Sequence, residues 1–86
     1  MNNVKVKVKY RGHLAALTGT AEETLEAKDV KSLLKTLRER HGQEAEKAGR
    51  CMIIALNGEN ILHLKRYKTA LKDGDVISFF PLCAGG

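Results

Sequence analysis

The stretch Leu71-Lys72-Asp73-Gly74-Asp75-Val76-Ile77-Ser78-Phe79-Phe80-Pro81 decides the fold of this chain. Its first part, residues 72–75, has the composition of a tight turn. The part that follows, Val76 to Phe80, predicts a final β-strand. Side chains alternate between the two faces of a strand, so Ile77 and Phe79 are expected to face a core. Phe80 then lies on the opposite face, where an exposed aromatic ring would suit docking of a partner.

Upstream of this stretch, the chain predicts a hairpin followed by one helix. Val4, Val6, Val8 and Tyr10 alternate with lysines, which is typical of a strand with one buried face. Residues 12–19 suggest a turn or a single helical turn, and residues 22–27 a second short strand. Asp29 is a good N-cap for an amphipathic helix that ends at Gly42. The apolar positions of this helix recur at helical spacing: Val30, Leu33, Leu34 and Leu37.

The middle of the chain predicts the remaining sheet. Residues 43–50 suggest a loop or a short extra helical turn, and residues 52–56 an inner strand. Asn57-Gly58 is a strong turn signal. Ile61, Leu62 and Leu64 suggest a short edge strand. The order predicts an α+β roll, with a four- to five-stranded mixed sheet packed on one main helix over residues 30–41.

Bulk properties limit what the chain can do. With 86 residues it can form one small domain, which leaves no room for a large internal active site. There is no apolar stretch typical of a signal peptide or a membrane helix, and two cysteines do not make a disulfide scaffold. We therefore expect a cytoplasmic protein with reduced thiols.

The net charge of +5 leaves several partners open. RNA, lipid headgroups and acidic proteins are all attracted to a basic surface. Lysines of the first strand, with Lys65, Arg66 and Lys68, could form a stripe that binds nucleic acid, but no RNA-binding signature accompanies them. A basic RNA-binding module therefore remains the alternative from a different functional class, and a solvated face is the simpler explanation of the lysines.

The last residues carry the strongest chemical signal. Residues 82–86 are predicted to form a flexible tail beyond a domain that spans residues 1–81. From Phe80 the chain could extend by roughly 20 Å. The terminal Gly85-Gly86 has no side chains, so it can pass through a narrow channel and leaves its carboxylate accessible. A frayed terminus that ends in glycine by chance is the alternative.

With these features the chain resembles the MoaD/ThiS-like sulfur carriers, and among them most of all the MoaD branch. The resemblance runs from residue 4 to residue 86 and includes the first strand, Leu17-Thr18-Gly19, the helix and Ala55-Leu56-Asn57-Gly58. Its most specific parts are the Asp-Gly-Asp turn, Phe79-Phe80-Pro81 and the terminal Gly85-Gly86. Such a resemblance implies a ubiquitin-like β-grasp fold.

The resemblance also implies a reaction cycle. An adenylating partner of the ubiquitin-activating type would use ATP to activate the carboxylate of Gly86, and sulfur would then give a thiocarboxylate. In the MoaD branch the tail enters the large molybdopterin synthase subunit and donates sulfur for the molybdenum or tungsten cofactor. Residues implied in this cycle are Gly85 and Gly86 for the chemistry, and Phe80, Pro81, Leu82, Cys83 and Ala84 for contact with the partner.

The resemblance leaves the acceptor pathway open. Relatives feed sulfur to thiamine, cysteine or tRNA synthesis, or are conjugated to proteins. This chain departs from the pattern at Leu82, where a second proline is common, and at Arg66, where some relatives have glycine. We expect no bound cofactor and no metal, because the histidines and cysteines lack zinc-ligand spacing. Cys51 is expected to be a buried structural thiol, and Cys83 a small filler in the tail.

Overall fold

The computed structural model describes residues 3–82. Five strands form one mixed sheet in the order β2-β1-β5-β3-β4. Only the pairing of β1 with β5 is parallel within this sheet. Along the chain the elements are β1 (Val4–Lys9), α1 (Gly12–Thr18), β2 (Glu22–Ala27), α2 (Val30–His41), α3 (Gln43–Arg50), β3 (Ile53–Leu56), β4 (Glu59–Asn60) and β5 (Val76–Phe80), with 3-10 turns at Ile61–His63 and Arg66–Lys68.

The predicted roll is confirmed: the sheet packs on α2 in the β-grasp arrangement. Helix α2 begins at a capping box, in which Ser32 N–H donates to Asp29 Oδ1 at 2.7 Å and Asp29 N–H donates to Ser32 Oγ at 3.2 Å. Its four predicted apolar positions are all buried. This helix therefore starts, ends and faces the core as its sequence predicts.

The alternation predicted for the last strand is also confirmed. Ile77 and Phe79 are completely buried, whereas Val76, Ser78 and Phe80 are partly exposed. Phe79 packs so tightly against α3 that a Cβ built on Gly49 would lie 3.1 Å from Phe79 Cε2. Only glycine at position 49 allows this approach without a shift of the ring. Helix α3 thus covers the end of β5 that is nearest to the C-terminus.

Three local predictions were incomplete or wrong. Residues 12–18 form a seven-residue helix, longer than the single turn expected. Residues 43–50 form a full helix, whose buried positions are the small residues Ala45 and Gly49. The predicted edge strand over Ile61, Leu62 and Leu64 was wrong, because the edge strand is the residue pair Glu59–Asn60 and Ile61–His63 is a 3-10 turn.

The reason for the last difference is a side-chain cap. Asn60 Oδ1 accepts a hydrogen bond from Leu62 N–H at 2.9 Å, which turns the chain out of the ladder after two paired residues. Further on, Arg66 has a φ of 53°, a left-handed conformation that glycine adopts more readily.

A polar cluster joins β1, β2 and α2 at the edge of the core. Tyr10 Oη donates a hydrogen bond to Glu23 Oε2, the His41 ring nitrogen Nε2 pairs with the same oxygen, and Arg40 Nε lies 3.0 Å from Glu23 Oε1. Partial burial opposes ionisation of Glu23, but these hydrogen bonds and positive charges outweigh it and lower the pKa of the carboxyl below its ordinary value. Burial and the bond to Glu23 raise the pKa of Tyr10, which therefore stays a donor.

We predict that Glu23→Gln destabilises the fold by about 1–3 kcal/mol at neutral pH, because it removes a partly buried charge that accepts several hydrogen bonds. A carboxyl group whose pKa is lower in the folded state than in the unfolded state contributes its full stabilisation above the unfolded-state pKa. This contribution is lost as pH falls through the folded-state pKa. The difference in unfolding free energy between wild type and Glu23→Gln should therefore shrink below about pH 4.3. Urea unfolding of both proteins at a series of pH values from acidic to neutral measures this difference.

Glu22→Gln is the matched control. Glu22 is the neighbouring acid on β2, and its ion pair with Lys7 spans 3.8 Å with both side chains about half exposed. Its replacement should change the unfolding free energy by less than about 0.5 kcal/mol. Equal losses in the two variants, or a Glu23 effect that does not depend on pH, would contradict the assignment.

Candidate docking surface at the root of the C-terminal tail

The end of β5 sets where the C-terminal segment leaves the domain. After Phe80, both Pro81 and Leu82 are exposed. The other predicted site residues, Cys83, Ala84, Gly85 and Gly86, lie outside the described residues, as does most of the predicted tail over 82–86. The site can therefore be built from the surface that surrounds residues 80–82.

Phe80 belongs to the open face of the sheet, opposite α2. It is paired with Ile53 of β3 across the antiparallel ladder, so these two partly exposed side chains lie on the same face. The guanidinium carbon of Arg11 lies 4.9 Å from the centre of the Phe80 ring, a cation–π contact. Phe80 is therefore less exposed than the sequence suggested, and Arg11 covers part of its ring.

Pro81 lies close to the start of α1. A Cβ built on Gly12 would lie 3.4 Å from Pro81 Cγ, and Gly12 has a positive φ of 59°. Glycine thus serves both the backbone turn into α1 and the close approach of the proline. The ring of Pro81 fixes its own φ and so restricts the backbone where the chain leaves the sheet.

An apolar groove lies beside this exit point. It encloses about 410 Å³ between the start of β3, the end of α3 and the 3-10 turns of residues 61–68. Four large apolar side chains are exposed in the described part of the chain, and three of them line the groove: Leu62, Tyr67 and Leu82. Clustered apolar side chains at a protein surface usually mark an interaction site.

Two arginines give the groove a positive charge. Arg50 and Arg66 both line it. The Arg50 guanidinium donates to Glu46 Oε2 from Nε at 3.1 Å and from Nη2 at 2.9 Å, and its central carbon lies 5.3 Å from the centre of the Tyr67 ring. The hydrogen bond to Glu46 raises the pKa of Arg50 above its ordinary value. Arg50 thereby fixes Tyr67 against the end of α3.

Cys51 also lines the groove, and it is exposed. The prediction of a buried structural thiol was wrong. Helix α3 extends to Arg50, so Cys51 is its C-terminal cap and lies outside the strand, which begins two residues later at Ile53. The sequence predicted only a loop or a short helical turn over residues 43–50. It therefore gave no sign that a helix end lies at Cys51, and the cysteine was placed beside the apolar strand.

The lysines of β1 form no continuous basic stripe with β2. Lys5, Lys7 and Lys9 lie on the open face of the sheet, but Lys9 is directly opposite Glu22, and Lys5 is opposite Glu26. Opposite charges that face each other on neighbouring strands offset one another locally. This half of the open face is therefore charged and mixed, whereas the half beside the C-terminus is apolar.

The helices in the described range, residues 3–82, include none that is both long enough and apolar enough to cross a membrane. The groove was not predicted from the sequence. Its only sequence signal was the presence of Leu62 and Tyr67 among basic residues.

Comparison with known proteins places this architecture in a family. A sequence model of the ThiS family matches residues 8–86. A search of curated proteins finds no match. Among solved structures, small archaeal modifier protein 1 from Methanosarcina acetivorans is 28% identical, covers 100% of both chains and has a TM-score of 0.88.

Two further structures link the chain to molybdopterin-converting factors. A protein described as subunit 1 of that factor from Pyrococcus furiosus is 34% identical over 91% of this chain and 97% of its own, with a TM-score of 0.74. The complex of subunits 1 and 2 from Helicobacter pylori contains a chain that is 31% identical over 96% of this chain and 100% of its own, with a TM-score of 0.69. The chain therefore belongs to the ThiS family, a family of ubiquitin-like sulfur carriers and modifiers.

Proposed function

We propose that this protein is a sulfur carrier whose C-terminal Gly86 is adenylated and converted to a thiocarboxylate. Its acceptor in this proposal is the large subunit of molybdopterin synthase. Two similar structures, at 34% and 31% identity, are described as subunit 1 of a molybdopterin-converting factor, and one of them is a complex with subunit 2. These two relatives favour the molybdenum or tungsten cofactor pathway over thiamine, cysteine or tRNA thiolation.

The observation that carries the proposal is the position of Leu82. This residue is 69% exposed, lines the apolar groove and precedes the terminal glycine by four residues. Four residues in extended conformation span roughly 14 Å. A partner that binds the groove would therefore have the carboxylate of Gly86 within reach of an active site of its own.

The chemistry requires a partner. A carboxylate is a poor acyl electrophile because it is negatively charged and has no good leaving group. Transfer of an adenylyl group from ATP in the partner's active site supplies that leaving group, and a sulfur nucleophile can then displace it. The carrier contributes recognition and reach, and we propose that the adenylating enzyme contributes the nucleotide site.

The same surface can serve both partners in turn. An apolar groove beside the exposed Leu82, lined also by Arg50 and Arg66, suits a partner surface that places apolar side chains among carboxylates. The adenylating enzyme and the sulfur acceptor must each hold Gly86 in its own active site. They therefore compete for one docking surface, which separates activation from donation in time.

A second candidate is a protein modifier. The structure of small archaeal modifier protein 1 aligns over both whole chains with a TM-score of 0.88 at 28% identity. Activation of Gly86 would be the same, and the final acceptor would be a lysine amine of a target protein. Incubation of the activated protein with cell extract distinguishes the two, since a modifier forms isopeptide-linked products that resist reductant and hydroxylamine.

We expect deletion of Gly86, or addition of one residue after it, to abolish adenylation and sulfur transfer. Either change moves the reactive carbon by about 3.5 Å, and an error of about 1 Å can cost on the order of a hundredfold in rate. The buried core lies between Val6 and Phe79, so the fold should survive. Mass spectrometry after incubation with ATP, sulfide and the cognate activating enzyme measures the product.

The melting temperatures of these variants supply the control. They should match wild type within about 2 °C, because neither change alters a residue of the buried core. Normal thiocarboxylate formation by the Gly86 deletion would refute the carrier proposal. Failure of the wild-type protein with its correct activating enzyme would refute it as well.

We expect Leu62→Ser to raise the KM of the activating enzyme for this protein by about tenfold, which corresponds to about 1.4 kcal/mol of lost docking energy. Leu64→Ser is the matched control, since Leu64 is an exposed leucine two residues away that does not line the groove. Steady-state adenylation kinetics, with circular dichroism to check folding, measure both. Equal KM values for the two variants would show that the groove is not the docking surface.

A further inference from the structure

A second cleft lies beside the apolar groove, between the start of α2 and the second half of α3, and encloses about 390 Å³. We call it the basic cleft, after the four exposed basic side chains that line it: Lys28, Lys31, Lys35 and Arg50. Lys31 and Lys35 are four residues apart on α2 and therefore share one face of the helix. Lys28 directly precedes Asp29, the N-cap of the same helix. These positive charges thus converge on the helical side of the molecule.

Both acidic side chains that line the basic cleft already have partners. Asp29 Oδ1 accepts a hydrogen bond from Ser32 N–H at 2.7 Å. Glu46 Oε2 accepts two hydrogen bonds from the Arg50 guanidinium, from Nε at 3.1 Å and from Nη2 at 2.9 Å. Within residues 3–82, none of the three lysines of the cleft forms an ion pair. Their charges are therefore available to carboxylates of another molecule.

The lysines lie where they oppose the stability of α2. The N-terminal end of a helix is the positive end of its dipole, so Lys28 and Lys31 are unfavourable there, and the first turn holds no acidic residue. Lys31 and Lys35 also repel each other across one helical turn. The backbone N–H of Val30 is engaged within the fold, because it donates to the Thr69 carbonyl at 3.1 Å. What the cleft offers a ligand is therefore its ammonium groups, and an arrangement that costs local stability is expected where a surface binds a partner.

Arg50 joins the basic cleft to the apolar groove, because its side chain lines both. Its guanidinium bonds to Glu46 in the cleft and lies over the Tyr67 ring in the groove, with its central carbon 5.3 Å from the ring centre. The surface therefore changes from apolar to basic across a single side chain. The phosphates of a nucleic acid would suit the cleft, but only a protein segment brings both apolar side chains for the groove and carboxylates for the cleft.

We propose that the basic cleft binds an acidic segment of a partner protein, while neighbouring apolar residues of that segment occupy the groove. The place of this partner in a carrier cycle rests on the proposed function, whereas binding of an acidic segment does not. Attraction between exposed charges weakens with salt, because the screening length shortens from about 10 Å at 0.1 M to about 3 Å at 1 M. Salt should therefore remove the contribution of the cleft and leave that of the groove.

A peptide titration followed by nuclear magnetic resonance tests the cleft without any partner enzyme. The probe is a synthetic peptide in which two leucines are flanked on each side by one glycine and three glutamates, and its control has glutamines in place of the glutamates. We expect the glutamate peptide to shift the amide resonances of residues 28–35 and 50. The dissociation constant of the glutamine peptide should be at least about tenfold higher at low salt, and within about twofold in 1 M salt. Absence of these shifts, or equal affinities at low salt, would overturn the proposal.

Lys35→Glu and Lys47→Glu are a matched pair of variants. Both lysines are exposed on helices and both substitutions change the net charge equally, but Lys47 does not line the basic cleft. A glutamate at position 35 can pair with Lys31, so α2 should remain folded. We expect Lys35→Glu to weaken binding of the glutamate peptide at least about fivefold at low salt, and Lys47→Glu less than about twofold. Equal losses would show attraction to net charge alone, and tighter binding of polyuridine than of the peptide would identify a nucleic-acid site; either result contradicts the proposal.

Adenylation kinetics then test whether the cleft takes part in the carrier cycle. At low salt, Lys35→Glu should raise the KM of the activating enzyme for this protein about fivefold relative to Lys47→Glu. If Leu62→Ser raises this KM and Lys35→Glu does not, the cleft is no part of the docking surface, although the carrier function stands. If the wild-type protein is not adenylated at all, the carrier proposal fails, whereas binding of the glutamate peptide is unaffected.

Discussion

The position of β5 is the constraint on which the rest of the structure depends, and the turn at residues 72–75 sets it. Lys5 N–H donates to Asp73 Oδ1 at 3.0 Å, and Gly74 N–H donates to the Lys5 carbonyl at 2.9 Å, which fixes the turn to the start of β1. Asn57 Oδ1 accepts from Val76 N–H at 2.9 Å on the other side. Strand β5 lies between β1 and β3, so these bonds set two registers at once: the parallel pairing of β5 with β1 and its antiparallel pairing with β3.

That register determines both the core and the docking surface. A slip by one residue would turn Ile77 and Phe79 to the open face and bury Phe80 in their place. In the observed register, Phe79 meets α3 at Gly49, and Phe80 meets Ile53 on the open face. The strand that completes the core is thus also the one that leads to Leu82 at the groove. Stability of the fold and presentation of the tail are set by the same hydrogen bonds.

The sequence predicted the elements whose signals are local and periodic. Alternation of apolar and polar residues predicted strands β1 and β5. Helical spacing and the Asp29 cap predicted helix α2, and turn chemistry predicted the turn at Asn57-Gly58. Helix α3 escaped prediction because its buried residues, Ala45 and Gly49, are small and give no apolar period. The groove could not be predicted, since it forms where segments far apart in the sequence pack together.

In the proposed carrier function, these features place the specificity of the protein outside its two terminal glycines. A Gly-Gly end serves any carrier that is activated by adenylation, because glycine offers a partner only backbone and a carboxylate. Discrimination between partners must therefore come from side chains that the fold presents near the tail. In this chain they are the apolar surfaces of Leu62 and Tyr67 and the charge of Arg50, which Glu46 and the Tyr67 ring fix in place. Under the proposed function, the choice of sulfur acceptor would then depend on the partner surface that is complementary to these residues, so that carriers with the same last two residues could serve different pathways.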